Sequence, residues 1–138
     1  DIDLNVEKKN SMTIGEIFKK KGEKFFRMEE EKEVLKFIEK NNCVIALGGG
    51  AFINKTIREN ILKNAISIWL DVDIKSLSKR IKWNQKRPLL KKENNQKKLY
   101  ELYSERKNIY KLANHKIICG GLSKENIAEK IISLYEKY

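Results

Sequence analysis

The sequence has 138 residues, enough for one domain with its own hydrophobic core. One proline, seven glycines and a 41% hydrophobic content exclude long linkers and extended disorder, and no stretch approaches the roughly 18 apolar residues of a membrane span, while neither a signal-peptide pattern nor an internal repeat is present. The net charge of +11 is concentrated in residues 75–98, where ten basic residues face Glu93 alone, so it suits a small polyanion such as a nucleoside triphosphate as well as a nucleic-acid backbone.

The chain opens on Asp1-Ile2-Asp3. Taken as a strand end with Ile2 facing inward, period-2 alternation puts both aspartates on one side. One carboxylate there can hold Mg²⁺ through water and the other can accept a hydroxyl proton, as phosphoryl transfer requires; a solvated strand end is the alternative. Thr13 to Lys20 and Met28 to Lys40 read as helices, the second with Val34, Leu35 and Ile38 as an apolar stripe. Cys43 to Leu47 reads as a short buried strand, and Asn54 or Lys55 through Lys63 as a helix. Ile66 to Leu70 follows as a strand, then Ile74 to Lys82 and Leu99 to Asn108 as helices. Ile117 to Cys119 is the last strand and Lys124 to Tyr138 a closing helix, amphipathic through Ile127, Ile131, Ile132 and Leu134. Strands alternating with helices predict a single α/β domain with a parallel sheet covered on both faces, whose ligands bind beyond the carboxyl ends of the strands.

Cys43 and Cys119 lie in apolar runs, and neither has a cysteine or histidine at metal-ligand spacing. Both are expected as reduced, core-packed thiols in a cytosol-like compartment. His115 is the one histidine, which excludes Ser/His/Asp and zinc-hydrolase arrangements and leaves it as a surface or strand-edge residue.

Gly48-Gly49-Gly50 closes the Cys43–Leu47 run and leaves bare backbone where a ligand can approach, or else forms a plain turn. In Gly22-Glu23-Lys24-Phe25-Phe26-Arg27-Met28-Glu29-Glu30, Arg27 and Glu30 are three apart at a helix start, either an ordinary i,i+3 surface pair or a carboxylate that aims the guanidinium at a planar anion while Phe26 walls the pocket. Arg87-Pro88-Leu89-Leu90, with Arg80 before it, reads as a flap inside the basic segment. Arg106 and Tyr110 share a helical face. The chain has five arginines, at 27, 58, 80, 87 and 106, and all but Arg58 fall inside these motifs, which favours specific anion contacts in a chain that otherwise uses lysine.

Taken in order, Asp1-x-Asp3 with Glu7, Thr13-Ile14-x-Glu16-Ile17-Phe18, Gly22-Glu23-x-x-Phe26-Arg27-x-x-Glu30, Val44 to Gly50, Arg87-Pro88-Leu89-Leu90 and Leu102-Tyr103-x-x-Arg106-x-x-x-Tyr110-x-x-Ala113 resemble shikimate kinase over essentially the whole chain. The resemblance implies a nucleoside monophosphate kinase-type, three-layer α/β/α fold and transfer of the ATP γ-phosphate to the 3-hydroxyl of shikimate, a step of aromatic amino-acid biosynthesis, with Mg²⁺ as cofactor. It implies that Asp3 binds the acceptor hydroxyl and takes its proton, and that Asp1 lies near Mg²⁺ through water. Arg27 and Arg106 would clamp the shikimate carboxylate, Glu30 would orient Arg27, the amides of Gly48, Gly49 and Gly50 would face the ring, and Phe18 and Phe26 would wall it. Arg87 would reach the transferring phosphate with the lid at about residues 75–98, and Arg80 would pack near the adenine.

The sequence departs from the family in one respect: nowhere is there Gly-x-x-x-x-Gly-Lys-[Ser/Thr], the loop that cradles ATP phosphates. The expectation is therefore of a fragment without its first βα unit, whose strands three and four must pair across a vacancy or leave backbone groups unpaired, and which does not by itself phosphorylate shikimate. The alternatives are a gluconate-type small-molecule kinase, a pseudoenzyme without ATP binding, or a basic nucleic-acid module, for which the segment offers little aromatic interleaving. Neither nucleic-acid nor membrane partners are expected, a monomer is, and the location is cytoplasmic, or a plastid where a transit peptide has been lost.

Overall fold

A computed structural model describes the backbone of residues 1–83 and 95–138 and the side chains of residues 1–78 and 97–138. The expected flap Arg87-Pro88-Leu89-Leu90 lies outside the described residues, as does much of the basic segment. The described residues fall into two compact units, one of residues 1–65 and the other of residues 66–83 with 95–138.

The first unit opens with helix α1 (Ile2–Asn10), not with a strand end. Asp1 is its N-cap, its Oδ1 accepting the Leu4 N–H at 3.1 Å, and Asp3 adds an acid to the first turn where the helix dipole favours one. Ser11 ends it in the left-handed region at φ 51°, returning its N–H to the Glu7 and Lys8 carbonyls. Ile2 and Val6, one turn apart, are fully buried. Helix α2 (Ile14–Lys20) starts on a capping box: Thr13 Oγ1 accepts the Glu16 N–H, and Glu16 Oε2 accepts the Thr13 N–H at 2.9 Å. Glu7 reaches across to accept the Ile14 N–H at 2.8 Å, tying α1 to α2.

Helix α3 (Gly22–Ile38) begins six residues before the expected Met28, so Arg27 and Glu30 lie inside it. Its buried face also differs from the expected apolar stripe. Val34 is fully buried, but Glu29, Glu30 and Glu33 are buried beside it. Two of those carboxylates are met from α1, where Lys9 Nζ lies 2.8 Å from Glu29 and 3.3 Å from Glu33, and Lys32 adds a 3.0 Å contact to Glu29. Desolvation makes buried carboxylates tolerable only when they are paired in this way.

Cys43 to Leu47 is not a strand. Among the described residues its sheet-like backbone bond is the one from Ile2 N–H to the Ala46 carbonyl, 3.1 Å, and Val44 is 93% exposed. A strand needs a ladder, and this segment has a single rung. Cys43 is consequently exposed rather than packed in a core, its thiol directed at the Phe37 and Lys40 carbonyls. After the glycines a 3-10 turn (Ala51–Ile53) leads into α4 (Lys55–Asn64), capped by Asn54 Oδ1 on the Ile57 N–H at 3.2 Å. Ile57 and Ile61 turn its buried face inward with Phe52. Each such side chain contributes about 1.5–3 kcal/mol on burial.

In the second unit, β1 (Ile68–Asp71) pairs in parallel with β2 (His115–Ile118), register Ile68 to His115 through Asp71 to Ile118. Helices α5 (Ile74–Trp83) and α6 (Asn95–Tyr110) lie between them in sequence and α7 (Lys124–Tyr135) follows. This is the parallel α/β order that the sequence predicts. Asn114 locks the entry to the strands: its Oδ1 accepts from Ser67 N at 2.9 Å and Oγ at 2.6 Å, while its own N–H donates to Ser67 Oγ. Cys119 is buried as expected, and His115 stands at the start of β2 with Nε2 2.7 Å from the Tyr138 hydroxyl. Helix α7 is capped by Ser123, but none of its residues is buried, so its expected apolar stripe is only partly covered. Among the described residues no helix is long and apolar enough to cross a membrane.

Candidate functional site

The first unit brings Asp3 of α1, Phe18 of α2, Phe26, Arg27 and Glu30 of α3, and the glycine segment together. Arg27 is held at three of its nitrogens. Nη1 donates to Glu30 Oε2 at 2.7 Å, while Nε and Nη2 donate to Glu23 Oε1 at 3.3 and 3.2 Å. Burial acts first, opposing its charge, but Glu30 and then Glu23 outweigh it and the guanidinium pKa is raised. The Arg27 Cζ also lies 5.2 Å from the centroid of the Phe26 ring, which packs on Phe18 at 5.1 Å between centroids. Nη1 and Nη2 each carry a second hydrogen beyond these bonds, and a planar anion takes such a pair by two parallel hydrogen bonds.

The glycines are required here by space. Gly50 has an ordinary φ of −95°, yet a Cβ on it would collide with Arg27 Nη1 and lie 2.6 Å from both Cζ and Nη2. At Gly48 a Cβ would stand 3.0 Å from Asp3 Oδ1 and 3.3 Å from Glu30 Oε1. Both of those oxygens are buried. The two carboxylates thus converge on one point beside bare backbone, with the aimed guanidinium one step further along the same segment. Gly49, in the turn between them, is exposed.

The Asp1 carboxylate is engaged in capping α1, and the helix start removes the strand alternation that put it on one side with Asp3. Among the described residues no group of three His, Cys, Asp or Glu side chains is disposed to hold a metal. The sequence has no phosphate-binding loop for ATP. Arg80 lies on α5, Arg106 lies on α6 of the second unit, and Arg87 is outside the described residues. Glu23 stands outside the expected site residues, although its i,i+4 spacing to Arg27 is the signal that finds it.

Known proteins similar to this chain come from one family. The shikimate kinase family profile matches residues 1–136. The chain is 38% identical to shikimate kinase of Bartonella henselae over 138 residues, all of this chain but 66% of that protein, and 37% identical to that of Sulfurihydrogenibium sp., covering 96% of this chain and 79% of the relative. Its backbone superposes on a shikimate kinase from Acinetobacter baumannii in complex with shikimate with a TM-score of 0.94 and 30% identity, over 99% of this chain and 77% of the other. The chain spans just under two thirds of the Bartonella protein it matches. It belongs to the shikimate kinase family.

Proposed function

We propose that this chain carries the acceptor side of a shikimate kinase, the protein transferring the γ-phosphate of ATP to the 3-hydroxyl of shikimate. The observation that carries this reading is Arg27, gripped by Glu30 and Glu23 against Gly50, whose Nη1 and Nη2 each carry a second hydrogen along their shared edge. A carboxylated ring is the ligand that such an edge selects, since a planar carboxylate takes two parallel N–H bonds. Asp3, whose Oδ1 approaches Gly48, would receive the proton of a ring hydroxyl as phosphoryl transfer proceeds, and the packed rings of Phe18 and Phe26 would wall the pocket. The Gly48 to Gly50 backbone lets the ring approach closely.

The roles of Arg80, Arg87 and Arg106 rest on the motif resemblance. Mg²⁺ would accompany ATP, whose phosphates need a cradle that these 138 residues do not encode, so the chain binds shikimate without turning it over. A monomeric enzyme of the cytoplasm, with neither nucleic acid nor membrane as partner, fits this reading. Calorimetric titration with shikimate, together with a coupled assay for ADP release, tests it. Saturable shikimate binding without turnover is expected. Absence of binding, or normal ATP-dependent turnover by the 138 residues, overturns the corresponding half.

A further inference from the structure

We propose that Arg58, the arginine outside every motif, is a positioning residue that fixes the glycine segment against Arg27. The inference deepens the acceptor-site reading above and rests on it. Arg58 Nη1 donates to two successive carbonyls, Phe52 O at 3.1 Å and Ile53 O at 2.9 Å. Those carbonyls end the 3-10 turn, and a turn so short leaves its last carbonyls without partners inside the helix. The same turn hangs on the glycines, with Ala51 N–H on Gly48 O, Ile53 N–H on Gly50 O and Asn54 N–H on Ala51 O, each 3.1 Å.

A second anchor comes from α3. Glu31 Oε2 accepts Asn54 Nδ2 at 2.6 Å, which turns Asn54 so that its Oδ1 caps α4. Glu31 is the next residue after Glu30, so the helix that aims Arg27 also holds the far end of the glycine turn. The clearance at Gly50 leaves the backbone no freedom to drift toward Arg27, because the guanidinium already fills the space of a Cβ. Arg58 holds the opposite end of the turn, and between them the amides of Gly49 and Gly50 are set in one place. Both bonds leave Nη1, and a guanidinium is suited to this task because its charge strengthens them and its rigid plane loses little freedom in making them. A lysine offers a point charge on a flexible stem. A role limited to stability would lower the melting temperature and leave the site geometry unchanged.

The test compares the 138-residue chain with R58K and R58M, reading the ¹H–¹⁵N resonances of Gly48, Gly49 and Gly50, shikimate affinity by calorimetry and the melting temperature. The glycine resonances are expected to move in both variants while those of α1 and α2 stay in place. Shikimate affinity is expected to fall about tenfold or more in R58M and less in R58K, as sub-ångström misplacement of a binding group predicts. Glycine resonances that stay in place overturn the proposal, as does unchanged affinity alongside a lowered melting temperature. Where R58M does not fold, R58K decides. Where the parent chain does not bind shikimate, the acceptor-site reading fails, and the glycine resonances alone decide whether Arg58 positions the turn.

Discussion

The Arg27 guanidinium occupies the volume that a side chain on residue 50 would need, its Cζ and Nη2 each 2.6 Å from where a Cβ on Gly50 would lie. The glycine is there for the arginine, not for its backbone angle. G50A is therefore expected to push Arg27 off its carboxylates and weaken shikimate binding by at least about tenfold, with a stability loss of about 1–3 kcal/mol from overpacking. G22A is the contrasting case. Gly22 has φ +83° and nothing within 4 Å of its would-be Cβ, so alanine there is strained without touching the site. Calorimetry on both variants checks the pair: a G50A chain that keeps parental affinity would separate Gly50 from the site.

Glu30 is 1% exposed and meets Arg27 at 2.7 Å, so the pair is a half-buried one whose rupture strands a charge. R27M leaves that carboxylate in the interior and is expected to destabilise the chain by about 3 kcal/mol and abolish shikimate binding. R27K keeps the charge and loses the fork, so folding survives better than binding. Urea midpoints and titrations of the two variants distinguish these effects. Equal loss of stability and affinity in both would mean that charge alone matters at this position.

Much of this arrangement is legible in the sequence, because it depends on local spacing. Thr13 with Glu16, Asn54 before Ile57 and Ser123 before Asn126 announce helix starts by side-chain chemistry. Arg27 and Glu30 announce an ion pair by the helical repeat. The contacts that escaped are those set by distant partners. Asp1 caps a helix whose Ile2 pairs with Ala46, far along the chain, and strand alternation and helix onset look alike over three residues. Nothing local marks Glu29 and Glu33 as buried, because the partner that makes their burial tolerable, Lys9, comes from another helix. Cys43 to Leu47 has the composition of a strand, but a ladder is made by neighbours, and no composition supplies them.

Asp3 is the group assigned to the proton of the acceptor hydroxyl. In a form competent for turnover, D3N retains the shape and loses the basicity, so kcat is expected to fall by about 10²-fold or more while shikimate KM changes little. Steady-state kinetics with ATP saturating measure the split. Near-normal kcat would remove Asp3 from that role and leave it a binding residue beside Gly48.

The Lys9 pairing with Glu29 and Glu33 makes the stability of the first unit depend on pH. The hydrogen bond from Lys9, followed by that from Lys32, lowers the Glu29 pKa, and the hydrogen bond to Glu29 raises that of Lys9 against desolvation. A carboxylate lowered in the folded state contributes stability that is present above its unfolded pKa and is lost as pH falls through the folded one. An amine raised in the folded state contributes stability present below its unfolded pKa and lost as pH rises through the folded one. The pair is therefore at full strength between the two ranges and weakens at both extremes. K9M is expected to be less stable than the parent near pH 7, and the gap should narrow as pH falls through the lowered Glu29 pKa of the parent. Adding E29L and E33V to K9M should restore the neutral-pH stability, since apolar residues need no partner on that face. Urea midpoints across this range carry the test, and a gap between parent and K9M that stays constant with pH would mean that Lys9 stabilises α1 on α3 through its methylene stem instead of its charge.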